Sequence, residues 1–184
     1  MTKEELNEAL NYVSAARENR NKMASKIEES PELVPKLVEI IKEDKDPVSC
    51  KAAWVLENVA KRDLQFIYFN IHPFLKTLKH ITLESSIRPA AKICQLLALN
   101  EFSKNSKKRL SDNQLNIITE AAFDWLIGEH KVAPKAYAMT TLLLIGKQIK
   151  WIHPELGLIL KQNYDNGSSA YKARARITLK ALEK

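Results

Sequence analysis

Glycine is scarce in this chain and badly placed for nucleotide chemistry. Only Gly128, Gly146, Gly157 and Gly167 occur, and the first 127 residues have none. A Rossmann turn, a P-loop and a kinase glycine loop all need clustered glycines so that the backbone can approach phosphate, which excludes enzymes of those kinds. Cysteine is nearly as rare. Cys50 and Cys94 stand apart, with no CxxC spacing, and predict reduced thiols packed in a core rather than a disulfide framework. No stretch approaches the ~18 consecutive apolar residues of a membrane span. The N-terminus, MTKEELNEAL, is acidic and amphipathic, without the apolar core of a signal peptide. The expectation is a cytoplasmic protein without membrane association. The four histidines, His72, His80, His130 and His153, form no zinc-ligand pattern, so neither a metal nor a cofactor is predicted.

What is present is repetition. Ile71-His72-Pro73-Phe74-Leu75 and Ile152-His153-Pro154-Glu155-Leu156 share the pattern I-H-P-x-L, and Pro31-Glu32-Leu33 echoes its second half. Proline is favoured at the start of a helix, where its missing N–H has no partner to lose. Leu33, Leu75, Leu115 and Leu156 mark four such starts, spaced 42, 40 and 41 residues apart. Between them lie alanine-rich second helices, opened at Pro47, Pro89, Pro134 and the serine pair Ser168-Ser169. Ala52, Val55, Leu56 and Val59 form an apolar stripe at helical spacing. Ala90, Ile93, Cys94 and Leu97 repeat it, and Ala136, Met139, Thr140 and Leu143 nearly do. In the last copy the same register reads Ala173, Arg176, Ile177 and Lys180, the polar outer face that a terminal repeat needs.

Strand signals are missing, so the chain reads as all-α, with helix pairs of about 12 to 18 residues per helix. Ahead of them, residues 1–30 read as a helical cap, with Thr2 and Glu5 at capping-box spacing and Leu6, Leu10 and Val13 on one face. Whether the first repeat helix starts at Pro31 or Pro35 stays open. Residues 101–112 lack periodicity, carry Lys104, Lys107, Lys108 and Arg109, and are expected to form a flexible loop.

Helix pairs of about 40 residues with these prolines and alanines resemble HEAT and armadillo repeats. The resemblance covers residues 31–184 and implies a right-handed α-α superhelix, a HEAT-like solenoid of about four helix pairs, with the whole of 1–184 as one domain. More narrowly, Ser49-Cys50-Lys51-Ala52-Ala53-Trp54-Val55-Leu56-Glu57, the segment Ile152–Leu156 and Lys172-Ala173-Arg174-Ala175-Arg176 resemble a family of short bacterial helical proteins that often carry an adenylosuccinate lyase name. Lyases of that superfamily have a mobile loop resembling G-S-S-x-M-P-x-K-x-N, and Gly167-Ser168-Ser169 matches only its first three positions. The methionine and proline are absent, and Lys172 comes two places early. Lyase activity is therefore a third reading, by name only, and Ser168 and Ser169 read as a loop and helix N-cap.

Charge is unevenly distributed. Residues 1–46 hold 8 Lys/Arg against 11 Asp/Glu, residues 47–110 hold 11 against 4, and residues 111–184 hold 10 against 7. In a solenoid whose second helices line the concave face, Lys51, Arg88, Lys92, Lys135, Lys172, Arg174 and Arg176 would form a ladder, with Trp54, Glu57, Asn58 and Tyr137 beside it. The expected function is a non-enzymatic scaffold, monomeric, with no catalytic residues, that offers a partly basic curved surface to a protein partner. The alternative is a nucleic-acid partner: Trp54 and Glu57 lie one turn apart, and some HEAT-like bacterial proteins are alkylpurine DNA glycosylases in which an aromatic and a carboxylate face the duplex.

Overall fold

The structure, a computed structural model, describes residues 1–106 and 108–183. Lys107, one of the cations expected in the 101–112 loop, lies outside the described residues. Among the described residues the chain is all-α, with eleven α-helices, two 3₁₀ turns and no strand. No helix among them is long and apolar enough to cross a membrane. The helices group into two compact units, Met1–Leu96 and Leu97–Lys184.

The first unit begins with α1 (Lys3–Ala9), a 3₁₀ turn at Leu10–Tyr12, and α2 (Arg17–Glu29). Thr2 and Glu5 form the capping box expected of them: Thr2 Oγ1 accepts the Glu5 N–H at 3.2 Å and the Thr2 N–H donates to Glu5 Oε2 at 2.8 Å. Leu6, Leu10 and Val13 are all buried. Pro31 then heads a second 3₁₀ turn, Pro31–Leu33, and Pro35 is the second residue of α3 (Val34–Lys42). Both prolines thus sit in a first turn, where neither removes an interior hydrogen bond.

After α3 the chain reverses at Asp44, whose φ of 50° lies in the left-handed region. Aspartate tolerates that conformation better than most side chains, and here its carboxylate is committed 38 residues away: Oδ2 accepts the Thr82 N–H at 2.8 Å and the Thr82 hydroxyl at 2.6 Å. Ser49 closes the same corner from inside the core, donating its hydroxyl to the Ile40 carbonyl at 2.5 Å and accepting the Lys45 N–H at 2.9 Å. The rest of the unit is α4 (Val48–Arg62), the short α5 (Gln65–Phe69), α6 (Ile71–Thr77) and α7 (Glu84–Glu101) as far as Leu96. Helix α3 packs on α1, α4 and α6, and α2 packs on α4. The stripes Ala52/Val55/Leu56/Val59 and Ala90/Ile93/Cys94/Leu97 are buried throughout, which is why these segments are helices with one apolar face.

The second unit contains α8 (Asp112–Ile127), α9 (Val132–Ile145), α10 (Ile152–Gln162) and α11 (Ser169–Leu182). Ser111 and Gln114 form a capping box at the head of α8, and Ser168 caps α11 by accepting the Tyr171 N–H at 3.3 Å. Helix α9 packs on α8, α10 and α11.

Three expectations need correction. The first helices of the pairs are shorter than expected, 9 residues for α3, 7 for α6 and 11 for α10. Pro89 does not open a helix but stands inside α7, where the Ser85 carbonyl that it leaves without a helical donor accepts from Trp54 instead. The stripe in α9 is displaced: Ala138, Met139, Thr141, Leu142 and Ile145 are buried, while Ala136, Thr140 and Leu143 are only half-buried. A helix with three neighbours is covered on most sides, and its sequence carries little facial asymmetry. The segment after α7 is tied back to that helix, since Glu101 Oε2 accepts the buried Leu110 N–H at 2.7 Å and Asn100 Nδ2 donates to Ser106 Oγ at 3.0 Å.

Candidate functional site

In the first unit, Lys51, Trp54, Glu57 and Asn58 lie on α4, and Arg88 and Lys92 lie one turn apart on α7. The structure pairs two of them, Glu57 and Arg88. Glu57, 1% exposed, accepts from Arg88 through both carboxylate oxygens: Nη2 to Oε2 at 2.8 Å and Nη1 to Oε1 at 3.4 Å. Lys61 Nζ also donates to Oε1, from one turn further along α4. The buried carboxylate thus meets two cations, the condition under which burying it is tolerable. Trp54, half-buried, donates its indole N–H to the Ser85 carbonyl at 3.0 Å.

The other three members of this group serve different ends. Lys51 reaches back to the Asn11 carbonyl at 2.8 Å, and Lys92 donates to Gln95 Oε1 on its own helix at 2.7 Å. Asn58 Nδ2 is a buried donor without a hydrogen-bond acceptor among the described residues.

In the second unit, Lys135 and Tyr137 lie on α9 and Lys172, Arg174 and Arg176 on α11. Arg174 Nη2 donates to the Thr140 hydroxyl on α9, while its Nε is buried without a partner. Arg176 Nε donates to Tyr164 Oη at 3.3 Å. Lys135 and Lys172 are half-buried. The expected outer register Ala173, Arg176, Ile177 and Lys180 is exposed at every position.

The nucleophile candidates are structural. Cys50 and Cys94 are free and buried; burial pushes the Cys50 thiol up from its ordinary value and the Cys94 thiol far up, so neither supplies a thiolate near neutral pH. His153 Nε2 donates to the Leu143 carbonyl at 2.9 Å, satisfying a carbonyl in the last turn of α9. Its counterpart in the repeated I-H-P motif, His72, is exposed. Among the described residues no group of three His, Cys, Asp or Glu side chains could hold a metal ion.

One feature of the second unit escaped the reading of the sequence. The rings of Phe123 and Trp151 stack, with centroids 5.5 Å apart and planes 16° from parallel, on the wall of a groove of about 880 Å³ between α8 and α10. The usable signal was the α8 spacing Glu120, Phe123, Asp124, Ile127, a second stripe besides the one that faces the core. No family model, no curated protein and no solved structure matches the chain.

Proposed function

We propose that the chain is a non-enzymatic binding scaffold built from HEAT-like helix pairs. In this reading residues 1–30 are the cap, and α3/α4, α6/α7, α8/α9 and α10/α11 are successive pairs. The observation that carries it is how second helices are joined within each unit. Helix α4 is tied to α7 by Glu57–Arg88 and Trp54–Ser85, and α9 to α11 by Thr140–Arg174. Links between equivalent helices of neighbouring pairs are what a stack of repeats requires, since each repeat buries its apolar face only on its neighbours.

The partner is a protein segment, met in the second unit by the half-exposed cations Lys135 and Lys172 beside the α9–α11 link. The DNA-glycosylase reading has less support. A carboxylate that stabilises a glycosyl cation must face the substrate, whereas Glu57 is buried against Arg88 and Lys61. The hydroxyl of Ser168 caps α11, a structural use of a serine in the short stretch that matches the lyase loop.

Two measurements test the proposal. Anisotropy of a labelled DNA duplex, read at low and near-physiological salt, is expected to show no saturable binding; tight binding that weakens steeply with salt would replace the protein partner with a nucleic acid. Affinity capture followed by mass spectrometry is expected to recover a protein with the wild-type chain and to lose it with Lys135→Glu/Lys172→Glu. Recovery that ignores those charges overturns the proposed surface.

A further inference from the structure

We propose that the groove between α8 and α10 is a docking site for a basic amphipathic helix of a partner protein. It shares no residue with the cations assigned above and stands or falls separately from them. One wall is a face of α8 bearing Glu120, Phe123, Asp124 and Ile127; the other is a face of α10 with Trp151 just ahead of it and Glu155 within it.

The lining has two characters at once. Trp151 is 55% exposed and Ile127 62% exposed, so the Phe123–Trp151 stack and Ile127 offer a contiguous apolar floor of the kind that marks an interaction surface. Around it stand Asp124 and Glu155, with Glu120 already engaged by a partner of its own, and among the described residues the lining contains no lysine or arginine. Residues 111–184 carry more basic than acidic side chains, 10 against 7. Two of those seven acids, Asp124 and Glu155, stand exposed on this one groove, so its local charge opposes that of the segment around it.

Charge and shape together select the occupant. The exposed carboxylates of Asp124 and Glu155 repel phosphate, nucleic acid and anionic lipid and attract lysine and arginine. The α8 wall runs from Asn116 to Ile127, roughly 16 Å at 1.5 Å per residue, which is three helical turns. Apolar anchors at i, i+4 and i+7 of a docked helix would lie along such a wall, with flanking cations reaching the rim. A small organic cation would leave most of a groove this size, and both aromatic faces, in water.

The test uses the full chain and two synthetic helical peptides with one leucine pattern, one carrying lysines on its flanks and the other glutamates. Peptide anisotropy is expected to show saturable binding of the lysine peptide, with a blue shift of tryptophan emission that Trp151→Phe removes. The variant Asp124→Asn/Glu155→Gln is expected to weaken binding by about tenfold or more, and Trp151→Ala to weaken it further. The substituted positions are on the surface or half-buried, and circular dichroism checks that each variant keeps its helix content. The proposal fails if neither peptide binds, if both bind alike, or if the neutralised groove binds as tightly as the native one. It also fails if unstructured polylysine competes as well as the helix, or if sedimentation of the chain alone shows self-association that Trp151→Ala abolishes, since the occupant is then a second copy.

Discussion

The indole N–H of Trp54 donates to the carbonyl of Ser85, and Ser85 lies four residues before Pro89 inside α7. In an uninterrupted α-helix that carbonyl would accept from the N–H of residue 89, and proline has none. The interior proline and the tryptophan on α4 are therefore one device: the defect in α7 exposes an acceptor, and the neighbouring helix supplies the donor. Trp54 is in this way occupied within the fold, which weighs against a role for it as a free stacking platform.

This device predicts energetic coupling. Trp54→Phe keeps most of the ring and removes the donor, and is expected to cost about 1 kcal/mol. In a Pro89→Ala background the helix supplies its own N–H to Ser85, so the same substitution should cost measurably less. Urea denaturation of the two single variants and the double variant measures the coupling. Strictly additive costs would show that Pro89 has no part in the contact.

Glu57 supplies a second prediction. Replacing a buried, doubly paired carboxylate by an amide leaves Arg88 without its charge partner, although Arg88 retains about a third of its side-chain exposure. Glu57→Gln is accordingly expected to cost about 2 kcal/mol, below the range for a fully buried pair. Arg88→Ala should cost less than that, because Lys61 still faces the carboxylate. Chemical denaturation gives both values, and the reverse order would mean that Arg88 contributes mainly by packing.

The elements that could be read from sequence are those decided within one turn. Thr2/Glu5, Pro35, Ser111 and Ser168 act on neighbours three residues away, and the alanine stripes repeat at helical spacing. What could not be read was set by distant partners. Pro89 stands inside α7 with the Ser85 carbonyl it leaves open taken by Trp54, 31 positions from Ser85, a partner that no local spacing announces. The buried faces of α9 depend on three packed neighbours. The same holds for the candidate site: the cations and Glu57 were visible as residue types, but the pairing of Glu57 with Arg88 spans 31 positions. The groove exists only because of where α10 lies against α8.

Acid and alkali are expected to loosen the contact between α1 and the end of α3. Hydrogen bonds from Lys3 and then Lys45 hold the Glu43 carboxyl below its ordinary range, and the same contact raises Lys3. A carboxylate lowered on folding contributes stability above its unfolded pKa and loses it as pH falls through the lower folded value; a raised lysine contributes below its unfolded pKa and loses it as pH rises through the higher folded value. The stability difference between the wild type and Glu43→Gln should therefore be flat from about pH 6 to pH 9, vanish towards about pH 3, and shrink again above about pH 10.5. Urea midpoints across that range test it. A difference independent of pH would mean that the glutamine loses something other than the ion pair.

Gly146 is the position where the smallest substitution should have the clearest effect. Its backbone is ordinary right-handed helix, with φ of −60°, so the requirement for glycine is one of space. A Cβ there would stand 2.0 Å from Cδ2 and 2.4 Å from Nε2 of His153, the ring that donates to the Leu143 carbonyl. Gly→Ala usually favours a helix, yet Gly146→Ala must expel the imidazole and leave that carbonyl unpaired, and is expected to cost about 2 kcal/mol. His153→Ala alone should cost about 1 kcal/mol. With the ring gone the alanine has room, so adding Gly146→Ala to His153→Ala should cost nothing more or even restore stability. Thermal or urea unfolding of the three variants decides it: additive losses would show that the glycine is needed for something other than the approach of His153.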